Sequence, residues 1–387
     1  MKRNEIIKIY GTDYKEMTKN LLVQAGIINV LESKMKSLGR SRDTLRIAIK
    51  PNLLDCTPAD YGATTHPEIV EGIIEILKEN AFRSVTVMEG SWVGGNTQKA
   101  FEFCGFNDIS RRYGVPLVDG QKEKSYKADC KGMELNICSC YKDVDFLINV
   151  PVLKGHCQTK ITCALKNMKG LIPNTEKRRF HTMGLQKPIA HLNSYIHQDF
   201  IVVDHICGDP DFEEGGNPLV RNCIMAALDP VLVDAYTADI LGYRPHDVGY
   251  VKIAEELGVG SADLSRLEIR IIDCVTEDGS DPGQAADDMY SESMPDTHKV
   301  LSVNYAVNDV DSCSACYSML IGALNRLQED GLLEKFDEKI AIGQGYRGKT
   351  GRLGIGNCTR DFDINVPGCP PAEEDIYKTL KTIILKK

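Results

Sequence analysis

Four cysteines near the C-terminus stand where a sulfur could be aimed at a ligand and not merely packed. Cys313 and Cys316 lie in DSCSACYSML, Cys358 follows Gly356-Asn357, and Cys369 is held in Pro367-Gly368-Cys369-Pro370-Pro371. A Pro-Gly-Cys-Pro-Pro frame fixes the direction of a turn, which burial alone does not require. Four thiolates suit a [4Fe-4S] cluster or a tetrahedral zinc ion. Structural zinc usually takes two close CxxC pairs. Here one CxxC is joined by two isolated cysteines, so we expect the cluster and keep zinc as the alternative.

A second set of residues could hold a small anion. From Lys154 to Arg179 the chain carries Lys154, Lys160, Lys166, Lys169, Lys177, Arg178 and Arg179 against one acid, Glu176. Lys166 and Lys169 would share a face if this stretch were helical. With Asn167, and with Lys50 at the end of an earlier strand, they offer donors to a carboxylate or phosphate. The bland alternative is a solvated basic helix. His156 and His181 flank the track and His66 opens a helix. These three are the candidates for moving protons, with His205 a weaker one. Asp229 reads as a helix cap, and Asp234 is secondary to the site.

Such residues need elements to position them. Short β-branched runs alternate with amphipathic segments, which predicts an α/β fold: a mostly parallel sheet layered by helices. Strands are expected at Leu45–Ile49, Val85–Met88, Phe146–Val150, Ile201–Asp204 and Leu267–Ile272. Helices are expected at Pro67–Glu79, Thr159–Met168, Pro230–Leu241 and Val251–Leu257, the first capped by Thr65. Residues 276–297 are acidic and rich in turn formers, and read as a loop. Beyond them we expect a strand at Val300–Val303, a helix from Cys313 to Gln328, strands at Lys339–Ile342 and Leu353–Ile355, and a helix at Ala372–Leu385. The expected domains are therefore 1–275, a main α/β domain with the anion site, 276–298, an acidic linker, and 299–387, a small α/β cysteine-bearing unit. In this layout the cysteines follow strand ends or precede helices, where open α/β sheets gather ligands and helix N-termini favour thiolates.

Bulk properties narrow the classes. Hydrophobic residues make up 42% and charged residues 26%, enough apolar content for a sizeable core. The net charge of −9 disfavours nucleic acid as a partner. No apolar run approaches a membrane helix, and the N-terminus lacks a signal peptide, so a cytoplasmic protein is expected. There the 14 cysteines stay reduced. Most, including Cys163, Cys207, Cys223 and Cys274, read as buried small hydrophobes.

Two resemblances add to this reading. IKPNLL, TTHPEIVEGIIEILKE, VTVMEGS, DVDFLINVPVLKGHCQTKITCALKNMKGLIP and LDPVLVDAYTADILG resemble the family known as domain of unknown function 362, over roughly residues 40 to 260. Members are often joined to iron–sulfur modules, which implies a redox context but no catalytic residue. This chain lacks the C-x₂-C-x₂-C-x₃-C run of ferredoxin-type modules. Its ordered set CxxC, GxC and PGCPP resembles instead, with compressed spacing, the proximal [4Fe-4S] site of nickel-iron hydrogenase small subunits and of the related subunit of respiratory complex I. A fainter likeness to nickel-pincer lactate racemases carries no residue over.

The leading expectation is an iron–sulfur oxidoreductase that acts on a small anionic substrate or cofactor, with a redox partner protein. The alternatives are a non-catalytic electron carrier or cluster-holding subunit, and a zinc-stabilised hydrolase or isomerase. No G-x-G-x-x-G follows a strand and no Walker loop is present, so nothing points to a nucleotide.

Overall fold

The β-branched runs assemble into an eight-stranded sheet in the computed structural model of the chain, which describes residues 1–213, 218–275 and 299–386. Its strands are β1 (Glu5–Gly11), β2 (Ile47–Pro51), β3 (Val85–Glu89), β4 (Leu117–Asp119), β7 (Phe146–Val150), β10 (Phe200–Gly208), β11 (Leu219–Ala227) and β12 (Glu268–Val275). Between β4 and β7 the chain forms an antiparallel pair, β5 (Ser125–Asp129) and β6 (Glu134–Cys138). β8 (Lys154–His156) and β9 (Lys160–Thr162) pair after β7.

The spatial order is β12-β1-β11-β10-β7-β2-β3-β4. β11 runs against β1 and β10, and every other adjacent pair is parallel. The central strands β2 and β7 are buried along their whole length. That is why IAIKP and FLINV read as near-continuous apolar runs without alternation. Ile47, Ile49, Val87, Phe146, Ile148 and Val150 feed one core, to which the helix Pro67–Glu79 adds Ile69, Val70, Ile73, Ile74 and Leu77. From β2 the chain goes outward to β3 and β4, then returns to β7 on the other side. The crevice between β2 and β7 is therefore the topological switch point, where open α/β sheets bind ligands at their carboxyl ends.

Among the described residues the chain divides into two compact units. One holds Met1–Gly155, Thr159–Phe180 and the described residues from Leu185 to 275. The other holds His156–Gln158, His181–Gly184 and the described residues from 299 onward. The second unit has its own parallel sheet: β13 (Val307–Asp309), β14 (Ile340–Ile342), β15 (Leu353–Ile355) and β16 (Ile364–Val366), in that order. Its helices Ser314–Glu329 and Glu373–Leu385 pack on each other, with Leu320, Leu324, Leu327, Ile376 and Leu380 buried. The expected acidic linker lies outside the described residues, as does the side chain of Cys274.

Some elements differ from expectation. The stretch 159–168 is not one helix. Ile161 and Thr162 extend into β9, and a single turn, Ala164–Asn167, follows. Asp234 accepts hydrogen bonds from Ala164 N (2.7 Å) and Leu165 N (3.2 Å), which fixes where that turn begins. Lys299–Val303 is a helix and not a strand, because a five-residue apolar run does not reveal its period. The helix Pro67–Glu79 starts with His66 at its N-cap and Pro67 in its first turn. Thr65, expected as the cap, instead donates to Val150 O (2.8 Å) and accepts from Asn52 N (2.8 Å). Asp229 does cap its helix, accepting from Val231 N and Leu232 N. Cys163, Cys207 and Cys223 are buried, as packing residues should be.

Candidate functional site

Polar residues at the carboxyl ends of three neighbouring parallel strands, with one midway along a fourth, form the centre of the main unit. In spatial order they are Asp204 on β10, Asn149 on β7, Lys50 on β2 and Glu89 on β3. Lys50 and Glu89 are enclosed. Lys50 Nζ donates to Glu89 Oε2 (2.7 Å), Pro51 O (2.7 Å) and Asn167 Oδ1 (3.3 Å). Burial pushes the Lys50 ammonium down in pKa and Glu89 pulls it back up. Glu89 also accepts from Leu53 N (2.9 Å) and Gly90 N (2.6 Å), so its carboxylate is held by three donors. This satisfies a pair that would otherwise be costly to bury.

Asn167 and Asn149 bridge the switch point. Asn167 Nδ2 reaches Asn149 Oδ1 (2.7 Å) and Lys50 O (3.2 Å), and Asn149 Nδ2 reaches Gln198 Oε1 (2.6 Å). Gly170 follows directly. A Cβ there would meet Glu89 Oε1 at 2.1 Å and Lys50 Nζ at 2.5 Å, so only glycine lets the backbone lie against the pair. Lys177 closes the far side, donating to Gly90 O (2.8 Å) and Ser91 O (2.7 Å). Burial pushes its pKa down to about 8, against Glu89 and Cys138.

Beside this network sits a histidine–carboxylate pair. His66 Nδ1 lies 2.8 Å from Asp204 Oδ2, and the His66 backbone N–H donates to the same oxygen at 2.8 Å. Asp204 is fully buried. Burial of the ring lowers the His66 pKa, but the Asp204 charge and hydrogen bond outweigh it and raise the value to about 9. Nε2 is buried without a hydrogen-bond partner among the described residues and faces the exposed Asp60 carboxylate at 3.5 Å. Thr65 ties this pair to the network through Asn52 and Val150.

The lysines of the basic track take different places. Lys154 is fully buried and donates to Ala63 O (2.6 Å). Lys166 is buried and donates to Thr162 Oγ1 (2.9 Å) and Glu213 Oε1 (2.7 Å). Lys169 is half-buried in the 3₁₀ turn Met168–Leu171. Burial pushes its pKa down to about 7, helped by Lys166 and Lys177 and opposed by Glu213. Lys154, Lys166 and Lys177 are thus not part of a solvated basic face, whereas Arg178 and Arg179 are exposed. Two clefts among the described residues lie elsewhere. The larger, about 680 Å³, is lined by Arg244, His246, Asp247 and Glu255, and the smaller by Leu153, His205 and Arg221.

His156 and His181 belong to the second unit. His156 Nδ1 accepts from Gln158 N (3.0 Å), and the His181 carbonyl accepts from Gln344 Nε2 (3.4 Å). This unit also holds the cysteines. Cys313 caps the helix Ser314–Glu329 after β13, Cys358 lies in the turn Asn357–Thr359 after β15, and Cys369 follows β16. The residues after three parallel strands therefore bring sulfur to one end of one sheet. The Cys313 and Cys316 thiols interact. That contact, with backbone N–H groups at the helix start, pushes Cys313 down to about 6. Cys316 is raised by the same contact and by burial, and then by the charges of Cys369 and Cys358. All four sulfurs share one neighbourhood. The Arg347 guanidinium is raised in pKa by Cys358 first, then by the charges of Cys369 and Cys313.

The loops that carry Cys358 and Cys369 are clamped together. Asn357 N donates to Gly368 O (2.9 Å), and Gly368 N donates to Asn357 Oδ1 (2.9 Å). Gly356 adopts φ +85°, and a Cβ there would lie 3.4 Å from Cys316 Sγ, in the space beside the sulfurs. Among the described residues, no three His, Cys, Asp or Glu side chains are drawn up as a ligand set for one metal ion. The donor chemistry, four free thiols with an arginine beside them, fits an iron–sulfur cluster.

The sequence marks Lys177 only as one cation of the basic track and gives Glu89 and Asp204 no role. Asn149, Gln198 and Gly170 gave no signal, because their partners are distant in sequence.

The chain belongs to the family described as "Domain of unknown function (DUF362)", whose profile matches residues 47–239. That span contains every member of the strand-end network. The chain is also similar to "Thylakoid-associated protein sll1697" of Synechocystis sp., 24% identical over 222 residues that cover 55% of this chain and 68% of that protein. Among the described residues no helix is long and apolar enough to cross a membrane.

Proposed function

We propose, proceeding from that family membership, that the chain is an iron–sulfur oxidoreductase of a small anionic substrate. The observation that carries this reading is the shared neighbourhood of Cys313, Cys316, Cys358 and Cys369, delivered by three parallel strand ends. These four residues would hold a [4Fe-4S] cluster, which when bound supplies or accepts one electron at a time, with a redox partner protein as the other party. Gly356 leaves the space beside Cys316 open, and Arg347 offsets the negative charge of the thiolates.

In the main unit, Lys169, a half-buried residue in the turn after Asn167, offers an ammonium with Lys166 beside it. Lys50 and Asn167 shape the wall behind it. His66, held by Asp204, gives or takes the proton that accompanies the electrons at Nε2. A built proton-transfer pair favours an enzyme over a pure electron carrier. Cys313, Cys316, Cys358 and Cys369 are free thiols, and the reading puts the protein in a reducing compartment, the cytoplasm.

The test is anaerobic purification with iron, sulfide and zinc analysis. About four irons and four sulfides per chain, with broad visible absorption that bleaches on reduction, supports the reading. Cys316→Ala and Cys369→Ala should each lower the iron content. A colourless protein with one zinc after reconstitution with iron and sulfide would overturn it and favour the hydrolase or isomerase alternative.

A further inference from the structure

The approach to Cys313 is held from far along the chain. Within the second unit, buried Ser312 stands between the end of β13 and Cys313, the N-cap of the helix Ser314–Glu329. The chain after β14 brackets one side of this approach. Val310 N donates to Ile342 O (2.9 Å), Gln344 N to Asp311 O (3.0 Å) and Gly345 N to Val310 O (3.0 Å). A Cβ on Gly343 would stand 2.0 Å from Val310 O. Ser312 N donates to Asp309 Oδ1 (2.9 Å). The Ser312 carbonyl is taken by a different residue. Gln158 Nε2 donates to Ser312 O, and to Ser312 Oγ at 3.3 Å.

Gln158 comes 154 residues earlier, between β8 and β9, in the stretch that the family profile matches. It belongs with His156 and Cys157 to the second unit. A side-chain amide can face a carbonyl oxygen only with its N–H₂ group, so Gln158 is the donor. Its backbone N–H donates to His156 Nδ1 (3.0 Å), which holds the short segment in shape.

The peptide plane carries this contact to the sulfur site. Ser312 C=O and Cys313 N–H belong to one planar group, so fixing the oxygen fixes the direction of the N–H. Cys313 has extended backbone (φ −91°, ψ 149°) before the first helical turn, and its N–H is one of the donors that a helix start leaves without an intrahelical partner. N–H groups aimed at the sulfurs of an iron–sulfur cluster tune its potential.

We propose that Gln158 is a positioning residue of the sulfur site. Through the Ser312 carbonyl it sets the direction of the Cys313 N–H, and with it the potential of a cluster held by the four cysteines. The effect on potential rests on the iron–sulfur reading, whereas the hold on Ser312 does not.

The test uses the full chain with Gln158→Leu, which removes the donor, and Gln158→Glu, which keeps the length and turns a carboxylate oxygen toward Ser312 O. Iron-loaded variants should hold as much iron as the wild type. Their midpoint potential should be more negative, and the electron paramagnetic resonance signal of the reduced cluster should change. Amide exchange of the metal-free chain, read by mass spectrometry, is the second measurement. A peptide across residues 310–317 should exchange roughly fivefold faster in both variants, as expected for one lost hydrogen bond. A peptide from the helix Glu373–Leu385 should be unchanged. Where Gln158→Leu does not fold, Gln158→Glu decides. Exchange at 310–317 equal to wild type would overturn the proposal, and so would faster exchange with an unchanged potential. A wild type that takes up no iron sinks the iron–sulfur reading instead, and exchange alone then decides whether Gln158 holds Ser312.

Discussion

Lys50 Nζ sits 2.7 Å from Glu89 Oε2, and both side chains are enclosed where two adjacent parallel strands end. Removing one partner strands the other charge in the core. Lys50→Met is expected to cost roughly 3–5 kcal/mol in denaturant unfolding. The double variant Lys50→Met/Glu89→Leu should cost less than the sum of the single changes, because no charge is left alone. A Lys50→Met loss below about 1 kcal/mol would show that the pair is not formed in the folded protein.

The His66–Asp204 pair sets a pH dependence. Its raised pKa means that the folded protein holds a proton the unfolded chain has released. The stabilisation is full below about 6.5, the unfolded value, and is lost as pH rises through about 9. The expected loss is about 3 kcal/mol between those limits. His66→Gln should flatten that part of the curve. Unfolding free energies at pH 6 and pH 9.5 for both proteins decide it, and equal slopes refute the pairing.

Lys169 makes a separate prediction about ligand charge. Its pKa near 7 means that the ammonium is charged below neutrality and increasingly neutral above it. Binding of a small anion, with inorganic phosphate as the probe, should weaken as pH rises through about 7. Lys169→Met should bind weakly and show little dependence on pH in that range. Calorimetric titration of both proteins at pH 6 and 8 makes the comparison, and an unchanged affinity in the variant would exclude Lys169 from the site.

Much of this site was legible one strand at a time. Lys50, Glu89 and Asp204 each stand at the end of a β-branched run, which marks them as strand-end polar residues. Their adjacency was not legible. The strands occur as β2, β3, β7 and β10 along the chain but stand as β10-β7-β2-β3 in space, an order set by crossovers and not by any local pattern. His66 and Asp204 are 138 residues apart and meet only after that assembly. The 159–168 stretch misled for a related reason: Asp234 fixes the helix start at Ala164 from far along the chain. The cysteine segments were more readable, because each sits beside its own strand end.

Gly356 tests the cysteine site without touching a sulfur. Its φ of +85° costs a side chain roughly 1–2 kcal/mol, and a Cβ would press toward Cys316 Sγ at 3.4 Å. Gly356→Val should therefore lower both stability and iron retained after desalting. Gly348→Ala carries similar strain at φ +71° but has nothing within 4 Å of its Cβ, so it should lower stability alone. Equal iron retention in the two variants would remove Gly356 from the sulfur site.

Gly170 gives the sharpest steric prediction. A methyl group there has no room, because Glu89 Oε1 and Lys50 Nζ would stand 2.1 and 2.5 Å away. Neither can swing aside: each is held by hydrogen bonds in an enclosed space. Gly170→Ala should cost at least about 1–3 kcal/mol, the usual penalty for overpacking, and should break the Lys50–Glu89 contact. In the Lys50→Met/Glu89→Leu background Oε1 and Nζ are gone and the side chain that replaces Lys50, whose Cε stands 2.4 Å from that Cβ, is no longer held by hydrogen bonds, so the same substitution should cost measurably less. Denaturant unfolding of the four proteins closes the cycle. An equal cost of Gly170→Ala in both backgrounds would mean that the Gly170 backbone does not lie against the pair.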